Sequence, residues 1–499
     1  MKRNLFLPLC LVAVSACTQS VEPSSDTPTE EPTASTAQEI ATDPSDVAES
    51  GYCYNSYIWN GTRGRVYYPS NGGCSASVYS PLVVLFHGTN YSYTGYHYLL
   101  RHLARNGFIA VSVDVLADSQ NNSDHLAAAE QGWDFVHDYL WSNWSKSAYI
   151  NPNAVGVIGH SRGGGTARAL AHYLEGDPTF HVKSVVTLAP TGSDTLYIKG
   201  TQAESYLSLY GTSDSDVAPG GVYKHFDFAG TETSQFDPSW DSQVTYKAMK
   251  LIDGASHAGF HDTGSADQQA VTRGYVLAFL KAHLAGDATW YEDYVRGDAV
   301  PHGWADPVVS QYADGFYRRT IDNFQDGSLP TNTLGGPVIQ FGTTTTVPNL
   351  GATADPHPHN TRVLQVSGSS QGAYVQWNIP DGKRDASAFE WLSLRLGQIS
   401  GTAASDVFVR IRNGNTWSSE VRITDHGQIA QPLEMCVSGT GVACLSIKEQ
   451  FHMGTLRIPL SALGAHDDVR DVRIVLRNNA LNKTFIADNL EFSEWVLKP

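Results

Sequence analysis

The sequence predicts two folded units. The first, residues 51–315, is an α/β unit with a mostly parallel sheet and helices on both faces. The second, residues 316–499, is an all-β sandwich. Apolar runs of strand length alternate with helical patterns in the first unit, which is typical of a covered parallel sheet. After about residue 318, short alternating segments separated by turn residues replace them, as in an antiparallel sandwich. Hydrophobic residues make up 41% of the 499 positions, which excludes a wholly disordered chain.

The charge balance is acidic. The chain has 33 Lys and Arg against 50 Asp and Glu, a formal net charge of −17. Because nucleic-acid binding needs clustered Lys and Arg to neutralise phosphates, we expect no nucleic-acid partner. The one long apolar run lies at the N-terminus and is too short to span a bilayer, which excludes a multi-span membrane protein.

The N-terminus has the pattern of an export signal. Two basic residues precede an apolar stretch and then small residues, so residues 1–16 are predicted to be a signal peptide. The run Val14-Ser15-Ala16-Cys17 resembles the bacterial lipobox. That resemblance implies lipidation at Cys17 and a lipoprotein of the bacterial cell envelope, tethered to a membrane at the outer membrane or extracellular side. An ordinary secretory signal cut near Ala16 is the alternative.

Residues 17–50 are predicted to be a disordered linker. They are rich in Ser, Thr, Pro and acidic residues and have almost no large apolar side chain. Such a segment buries too little surface to offset its chain entropy, so we expect a flexible spacer.

Four further cysteines of the exported chain fall into two local pairs, Cys53 with Cys74 and Cys436 with Cys444. An even, paired set in an exported protein predicts two disulfides, with free buried thiols as the alternative. No CxxC motif or Cys/His cluster is present in the sequence, so a structural zinc site is not expected.

The elements of the first unit follow from local patterns. Continuous apolar runs predict strands buried on both faces, at residues 81–86, 108–114, 154–158, 182–188, 206–210 and 246–252. Helical spacing predicts helices at residues 96–106, 123–141, 163–174 and 268–284, with Ser123 as the N-cap of the second. In the second unit, alternation predicts strands at residues 374–377, 392–396, 407–411, 456–460, 472–476 and 485–492.

The pentapeptide at residues 159–163 has the form G-x-S-x-G. A buried strand ends at Ile158 and a helix of small residues follows Ser161, which is the strand-turn-helix context of a nucleophile elbow. The glycines permit a tight turn, and the serine sits in strained backbone with its hydroxyl presented. We therefore predict that Ser161 is a nucleophile; a Gly-rich turn capped by serine is the alternative.

A serine hydroxyl needs a base, and the base needs an orienting acid. In folds with this elbow the chain order is Ser, Asp, His. Asp214 follows the strand at residues 206–210 and is the favoured acid, with Asp216 as its rival. His257 follows the strand at residues 246–252 and is the favoured base, with His261 as its rival.

Acyl transfer also needs two backbone N–H groups to stabilise an oxyanion. One is expected from Arg162, the residue after the nucleophile. The other is expected from Thr89, in the loop after the strand at residues 81–86, where Gly88 allows backbone to approach the substrate. His87 is expected to brace this loop.

Residues 55–290 resemble the α/β-hydrolase fold, and most closely the group of cutinase-like enzymes, polyester hydrolases and platelet-activating-factor-acetylhydrolase-like enzymes. The segments that carry the resemblance are residues 103–110, 159–165 and 254–257. It implies a Ser161–His257–Asp214 triad, no metal or cofactor, and hydrolysis of carboxylic esters through an acyl-enzyme.

Two departures from cutinase-like enzymes leave the substrate open. Arg162 stands where those enzymes usually have Met, and His87-Gly88-Thr89 stands where they have Pro-Gly-aromatic. We expect the ester to be a lipid, a polyester or an acylated polysaccharide.

The second unit resembles jelly-roll carbohydrate-binding modules at residues 322–327, 332–336, 456–460 and 486–490. This implies a glycan as a partner, with a spacer or docking role as the alternative. Trp377, Trp391 and Trp417 are either sugar-stacking or core residues.

The leading interpretation is thus a secreted, lipid-anchored serine esterase. A surface glycan-binding protein that uses the hydrolase fold as a scaffold is the alternative, and a serine peptidase ranks lower because no propeller or large cap is visible in the sequence.

Overall fold

The computed structural model describes residues 29–31, 43–75, 78–191, 205–229, 246–314, 318–350 and 357–494. The predicted signal peptide, Cys17 and most of the predicted spacer lie outside the described residues. No helix within the described ranges is long and apolar enough to cross a bilayer.

The first unit is built on a ten-stranded mixed sheet. Its strands are β1 (Thr29–Glu31), β2 (Gly51–Trp59), β3 (Thr62–Ser70), β4 (Ser80–Phe86), β5 (Ile109–Val113), β6 (Ile150–His160), β7 (Val182–Leu188), β8 (Ser205–Gly211), β9 (Tyr246–Ile252) and β10 (Val308–Asp314), in the order β1-β2-β3-β5-β4-β6-β7-β8-β9-β10. The strands from β5 to β9 are mutually parallel. The flanking strands are antiparallel. The predicted parallel centre is therefore confirmed.

Helices cover both faces of this sheet. They are α1 (His97–Arg105), α2 (Asn122–Asp134), α3 (Arg162–Tyr173), α4 (Pro219–Phe228) and α5 (Ala266–Ala285), with π-helical segments Phe135–Trp141 and Tyr291–Arg296 and 3₁₀ turns Ser147–Tyr149 and Ala258–Phe260. Apolar side chains of α1 and α5 form one core with the sheet. Those of α2 and α3 form the core on the opposite face.

The second predicted helix, residues 123–141, differs in detail from the observed one. It is α2 followed by the π-helical segment, and its N-cap is Asn121 instead of Ser123. The Asn121 side chain accepts a hydrogen bond from the Asp124 N–H at 2.9 Å, while the Ser123 hydroxyl donates to Asn121. An amide oxygen placed before the first turn satisfies a backbone donor that a serine inside that turn does not reach.

Residues 43–50 are packed, whereas the spacer was predicted to extend to residue 50. Val47 is buried in the core beside α1. The Pro44 carbonyl accepts a hydrogen bond from His102 Nε2 at 2.9 Å, and the Val47 carbonyl accepts one from the Asn106 side chain at 3.0 Å. These hydrogen bonds satisfy backbone carbonyls of the segment. Amino-acid composition alone does not reveal that such partners exist.

The second unit consists mainly of two antiparallel sheets. Its strands are β11 (Arg318–Asp322), β12 (Val338–Phe341), β13 (Thr343–Thr346), β14 (Leu364–Gly368), β15 (Ala373–Asn378), β16 (Trp391–Gln398), β17 (Val407–Asn413), β18 (Thr416–Trp417), β19 (Val421–Arg422), β20 (Leu433–Gly439), β21 (Cys444–Gln450), β22 (Gly454–Pro459), β23 (Val469–Leu476) and β24 (Thr484–Ser493), with one short helix, α6 (Leu460–Leu463), and 3₁₀ turns Ile423–Asp425 and Asn478–Ala480. One sheet has the order β13-β14-β24-β16-β22, and the other has the order β12-β15-β23-β17-β18. Side chains of both sheets share one apolar core, which agrees with the predicted sandwich.

Strands β20 and β21 form a separate two-stranded hairpin. Its Met435 is fully buried in the core of the first unit, so the second unit reaches onto the first. The Cys436–Cys444 disulfide joins its two strands, and the Cys53–Cys74 disulfide joins β2 to the loop after β3. Both predicted pairings are confirmed.

A buried charge cluster also joins the two units. Arg395 on β16 donates to Asp488 at 3.0 Å, to Asp227 of α4 at 3.2 Å and to Gln311 of β10 at 2.6 Å. All four side chains are almost fully buried. Because buried charges need such partners, this cluster fixes how the units meet.

Candidate active site

Ser161 lies at the sharp turn between β6 and α3. Its φ is +54° and its ψ is −124°, a conformation that L-residues rarely adopt. The turn is held by backbone hydrogen bonds: the Ser161 N–H donates to Leu188 at 2.9 Å, and the Ser161 carbonyl accepts from Gly164 at 2.9 Å and Thr191 at 3.0 Å. This is the strand-turn-helix geometry that the pentapeptide predicts.

The glycines of the pentapeptide are required by close packing. A Cβ on Gly159 would lie 2.1 Å from the Gly163 carbonyl oxygen, and a Cβ on Gly163 would lie 2.3 Å from that of Phe86. Neither contact is sterically allowed. The two glycines therefore allow α3 to pack closely against β6 and β4, and this packing sets the position of Ser161.

Asp214 and His257 meet in loops at the ends of β8 and β9. Asp214 Oδ2 lies 2.8 Å from His257 Nδ1, and both side chains are buried. The other Asp214 oxygen accepts hydrogen bonds from the Asp216 N–H at 2.9 Å and the Val217 N–H at 2.8 Å. A carboxylate fixed in this way holds the Nδ1–H tautomer, which leaves the Nε2 lone pair as the basic site.

The imidazole of His257 lies beside the serine turn. Its ring centroid is 4.8 Å from that of His160, the residue before Ser161. Nε2 of His257 is buried and makes no hydrogen bond to Ser161 or any other described residue. An oxygen of Asp216 lies 3.3 Å from it, close enough for an ion pair but outside hydrogen-bond geometry.

The two rival residues occupy different environments from the favoured ones. Asp216 is half exposed and lies near Nε2 of the His257 imidazole. Asp214 is buried and contacts Nδ1 of the same ring. His261 packs its ring 4.7 Å from that of Tyr91 and places Nδ1 3.3 Å from Thr263. The structure thus joins Asp214 with His257 and leaves His261 outside that pair.

A buried brace at the serine turn was not predicted from the sequence. The Tyr96 hydroxyl accepts a hydrogen bond from the Gly88 N–H at 3.2 Å and lies 2.8 Å from His160 Nδ1. Burial lowers the pKa of His160 well below its usual range and raises that of Tyr96 well above its own, so both groups are neutral. Tyr96 and His160 are therefore joined by a hydrogen bond between two neutral groups. The sequence signal was only a cluster of tyrosines after His87.

The loop containing Gly88 and Thr89 runs directly along the serine. A Cβ on Gly88 would lie 2.8 Å from Ser161 Cβ. The backbone N–H groups of Thr89 and Arg162 donate no hydrogen bond to any described residue. Unpaired backbone amides at these two positions are compatible with the predicted oxyanion donors.

The side chain of Arg162 is anchored away from the serine. Its guanidinium donates to the carbonyls of Ala117 at 3.0 Å and Asp118 at 3.3 Å. His87, which was predicted to brace the Gly88 loop, places Nδ1 3.0 Å from the Gly88 carbonyl oxygen and Nε2 3.4 Å from Asp114, the residue after β5. No cluster of three metal-ligating side chains occurs among the described residues.

Comparison with known proteins gives a family match for part of the chain. The family model described as Chlorophyllase matches residues 68–199. The chloroplastic chlorophyllase-1 proteins of Citrus unshiu and Citrus sinensis are each 34% identical to this chain over 92 residues. That similarity covers 18% of this chain, and the chain spans only 28% of the length of these relatives. The family match agrees with an α/β-hydrolase fold for the first unit.

Proposed function

We propose that this protein is a serine hydrolase that cleaves carboxylic esters. The observation that carries the proposal is the 2.8 Å contact between Asp214 and His257 beside the strained Ser161 turn. The family match supports it further. Residues 68–199 include Thr89, Ser161 and Arg162, and end before the acid and the base.

In the proposed reaction, Ser161 Oγ attacks the ester carbonyl while His257 Nε2 takes its proton. Asp214 stabilises the imidazolium that forms. The C–O bond to the alcohol then breaks, the alcohol leaves with the proton from Nε2, and the acyl group stays on Oγ. Water activated by the same nitrogen releases the acid and restores the serine.

The backbone N–H groups of Thr89 and Arg162 stabilise the oxyanion in both halves of this reaction. Catalytic hydrogen bonds commonly tighten only when substrate is bound. Because an Asp216 oxygen lies 3.3 Å from His257 Nε2, the proposed proton transfer requires this half-exposed side chain to turn toward solvent.

The substrate class follows at a coarse level. The curated relatives are named for chlorophyllase activity, which supports ester hydrolysis here without specifying the ester. A lipid, a polyester and an acylated polysaccharide remain the three candidate esters.

The proposed location comes from the N-terminal sequence. A signal peptide over residues 1–16, lipidation at Cys17 and a spacer would tether the enzyme at the cell envelope. Metabolic labelling with a palmitate analogue tests this. Label that persists in a Cys17→Ser variant would contradict it.

Glycan binding by the second unit stays a prediction. Trp377 is buried in the sandwich core. Arg457 lies 4.4 Å over the ring of Trp391 and Arg410 lies 4.3 Å over that of Trp417, so these rings already have cation–π partners. Glycan-array binding of the whole protein tests this role.

The decisive experiment on the proposed function uses a fluorophosphonate probe and p-nitrophenyl butyrate. Wild-type protein is expected to be labelled at Ser161 and to hydrolyse the ester, and Ser161→Ala is expected to lose about 10⁶-fold in kcat and all labelling. Ser213→Ala, which alters an exposed serine on the acid loop, is the matched control and keeps both. Equal rates in wild type and Ser161→Ala would overturn the proposal.

A further inference from the structure

The β20–β21 hairpin carries a conspicuous apolar surface. Among the described residues, the three most exposed large hydrophobic side chains are Val442 at 92%, Leu445 at 69% and Ile447 at 62%. All three lie on its turn or on β21. We refer to these three side chains as the apolar ridge. Large exposed apolar side chains grouped on one short hairpin are characteristic of a site of contact with another molecule.

The ridge is held rigidly. Met435 on β20 is buried in the core of the first unit, and the Cys436 N–H donates to the Thr212 carbonyl at 2.8 Å. The Cys436–Cys444 disulfide ties the two strands, and Ile447 lies opposite Cys436 in their register. One side of the hairpin is therefore anchored to the first unit while the ridge faces solvent.

The hairpin turn adjoins the proposed active site. The Gly441 N–H donates to the Ser215 carbonyl at 2.9 Å, between Asp214 and Asp216. A Cβ on Gly441 would lie 3.4 Å from one Asp216 oxygen, and the other Asp216 oxygen lies 3.3 Å from His257 Nε2. The Asp216 carboxylate thus lies between the hairpin turn and the His257 imidazole. Val442 follows Gly441 in this turn.

We infer that the apolar ridge binds the aliphatic chain of a lipid ester at a lipid surface while the ester group reaches Ser161. This inference rests on the proposed function and names its substrate class. The ridge is made of branched aliphatic side chains with no aromatic ring. It therefore suits a hydrocarbon chain better than sugar rings or an aromatic polymer, which aromatic side chains would stack against. The net charge of −17 favours an uncharged or zwitterionic lipid over an anionic one.

The test compares p-nitrophenyl palmitate in dispersion with dissolved p-nitrophenyl butyrate. The triple variant Val442→Ser, Leu445→Ser, Ile447→Ser is expected to lose about tenfold or more in kcat/KM toward the palmitate, because apolar burial supplies the affinity. Its rate with butyrate is expected to stay within about twofold of wild type, since exposed substitutions perturb folding little. Ile339→Ser with Phe341→Ser, on strand β12, removes other exposed apolar side chains and is the matched control.

A second measurement avoids catalysis. In a Cys17→Ser, Ser161→Ala background, which lacks the proposed lipid anchor, the protein with an intact ridge is expected to sediment with phosphatidylcholine vesicles, and the triple variant is expected to stay in the supernatant. Equal sedimentation of the two would overturn the inference whatever the enzyme cleaves.

The outcomes separate this inference from the proposed function. Failure of wild type to cleave either ester would contradict the proposed function. If both esters are cleaved and the triple variant keeps the wild-type ratio of the two kcat/KM values, the proposed esterase function holds and the inference about the apolar ridge is overturned. Equal losses on both substrates would also overturn it, because they would indicate a structural role.

Discussion

Asp214 Oδ2 lies 2.8 Å from His257 Nδ1, although the two residues are 43 positions apart in the chain. The second oxygen of Asp214 is held by two backbone N–H groups, so the carboxylate has one available orientation. Asp216, two residues further on, has neither feature and is half exposed. The environments of the two acids thus differ in the way that their proposed roles require.

The first prediction separates these acids. Asp214→Asn is expected to lower kcat about 10⁴-fold, because an amide at this position favours the wrong tautomer of His257. Asp216→Asn is expected to stay within about tenfold of wild type, since an exposed carboxylate contributes little to a buried base. Steady-state hydrolysis of p-nitrophenyl butyrate measures both, and the reverse order would make Asp216 the triad acid.

The second prediction concerns the close approach of the Gly88 loop to Ser161. Gly88→Ala places a Cβ 2.8 Å from Ser161 Cβ and 3.0 Å from the Tyr91 ring, so the loop must shift away from the oxyanion. The loss of one aligned donor lowers kcat about 10²-fold. Gly220→Ala in α4, which meets no atom within 4 Å, is the control and keeps full activity. Unchanged activity in Gly88→Ala would place the oxyanion donors elsewhere.

The third prediction identifies Tyr96 as a positioning residue. Tyr96→Phe removes the hydroxyl that links the Gly88 N–H to His160, so kcat falls while KM is unchanged. Tyr98→Phe is the matched control, because it removes a buried hydroxyl bonded to the Phe260 carbonyl at 3.1 Å. Both variants lose about 1–3 kcal/mol of stability. If Tyr96 contributes only to stability, Tyr96→Phe and Tyr98→Phe will have equal kcat values.

Local patterns were sufficient to predict the centre of the first unit. The parallel strands are buried on both faces and read as continuous apolar runs, and the Ser161 elbow is encoded within five consecutive residues. The order Ser, Asp, His then selected Asp214 and His257 as the candidate acid and base, each with one rival. Each of these features depends on neighbours in sequence or on a general rule of chain order.

Long-range packing was not predictable in the same way. Tyr96 meets His160 across 64 positions, and nothing in the local pattern distinguishes it from the nearby tyrosines. The sequence of the β20–β21 hairpin shows only weak alternation of apolar and polar residues. Its Met435 packs in the hydrophobic core of the first unit. Residues 43–50 have a spacer's composition, yet their carbonyls accept hydrogen bonds from α1 and the residue that follows it. In all three cases the deciding partner is remote in sequence.

The fourth prediction tests the charge cluster between the units. Arg395→Met leaves Asp227 and Asp488 buried without their cation, so unfolding free energy falls by about 3–5 kcal/mol. Arg63→Met is the control, because its ion pair with Asp114 is largely exposed and contributes about 1 kcal/mol or less. Urea unfolding measures both variants, and equal losses would show that the cluster does not stabilise the interface.

The last prediction concerns the pH dependence of stability. Asp322, at the end of β11, is buried and accepts a hydrogen bond from Trp377 Nε1 at 2.9 Å. Burial raises its pKa to about 7, against an unfolded value of about 3.9. Between these values the folded chain holds a proton that the unfolded chain has lost. Stability from this group is therefore complete below about pH 4 and falls by up to about 1.4 kcal/mol per pH unit as pH rises through 7.

Asp322→Asn is expected to remove this slope, because the amide does not titrate. Burial raises the pKa of Asp488 to about 7 as well, so the variant keeps a slope of the same sign from that group. Urea unfolding at pH 5 and pH 8 measures the difference between the two slopes. The hydrogen bond that the amide loses lowers stability equally at both pH values, so it cancels in that difference. Identical slopes in wild type and Asp322→Asn would show that Asp322 is ionised in the folded protein at both pH values.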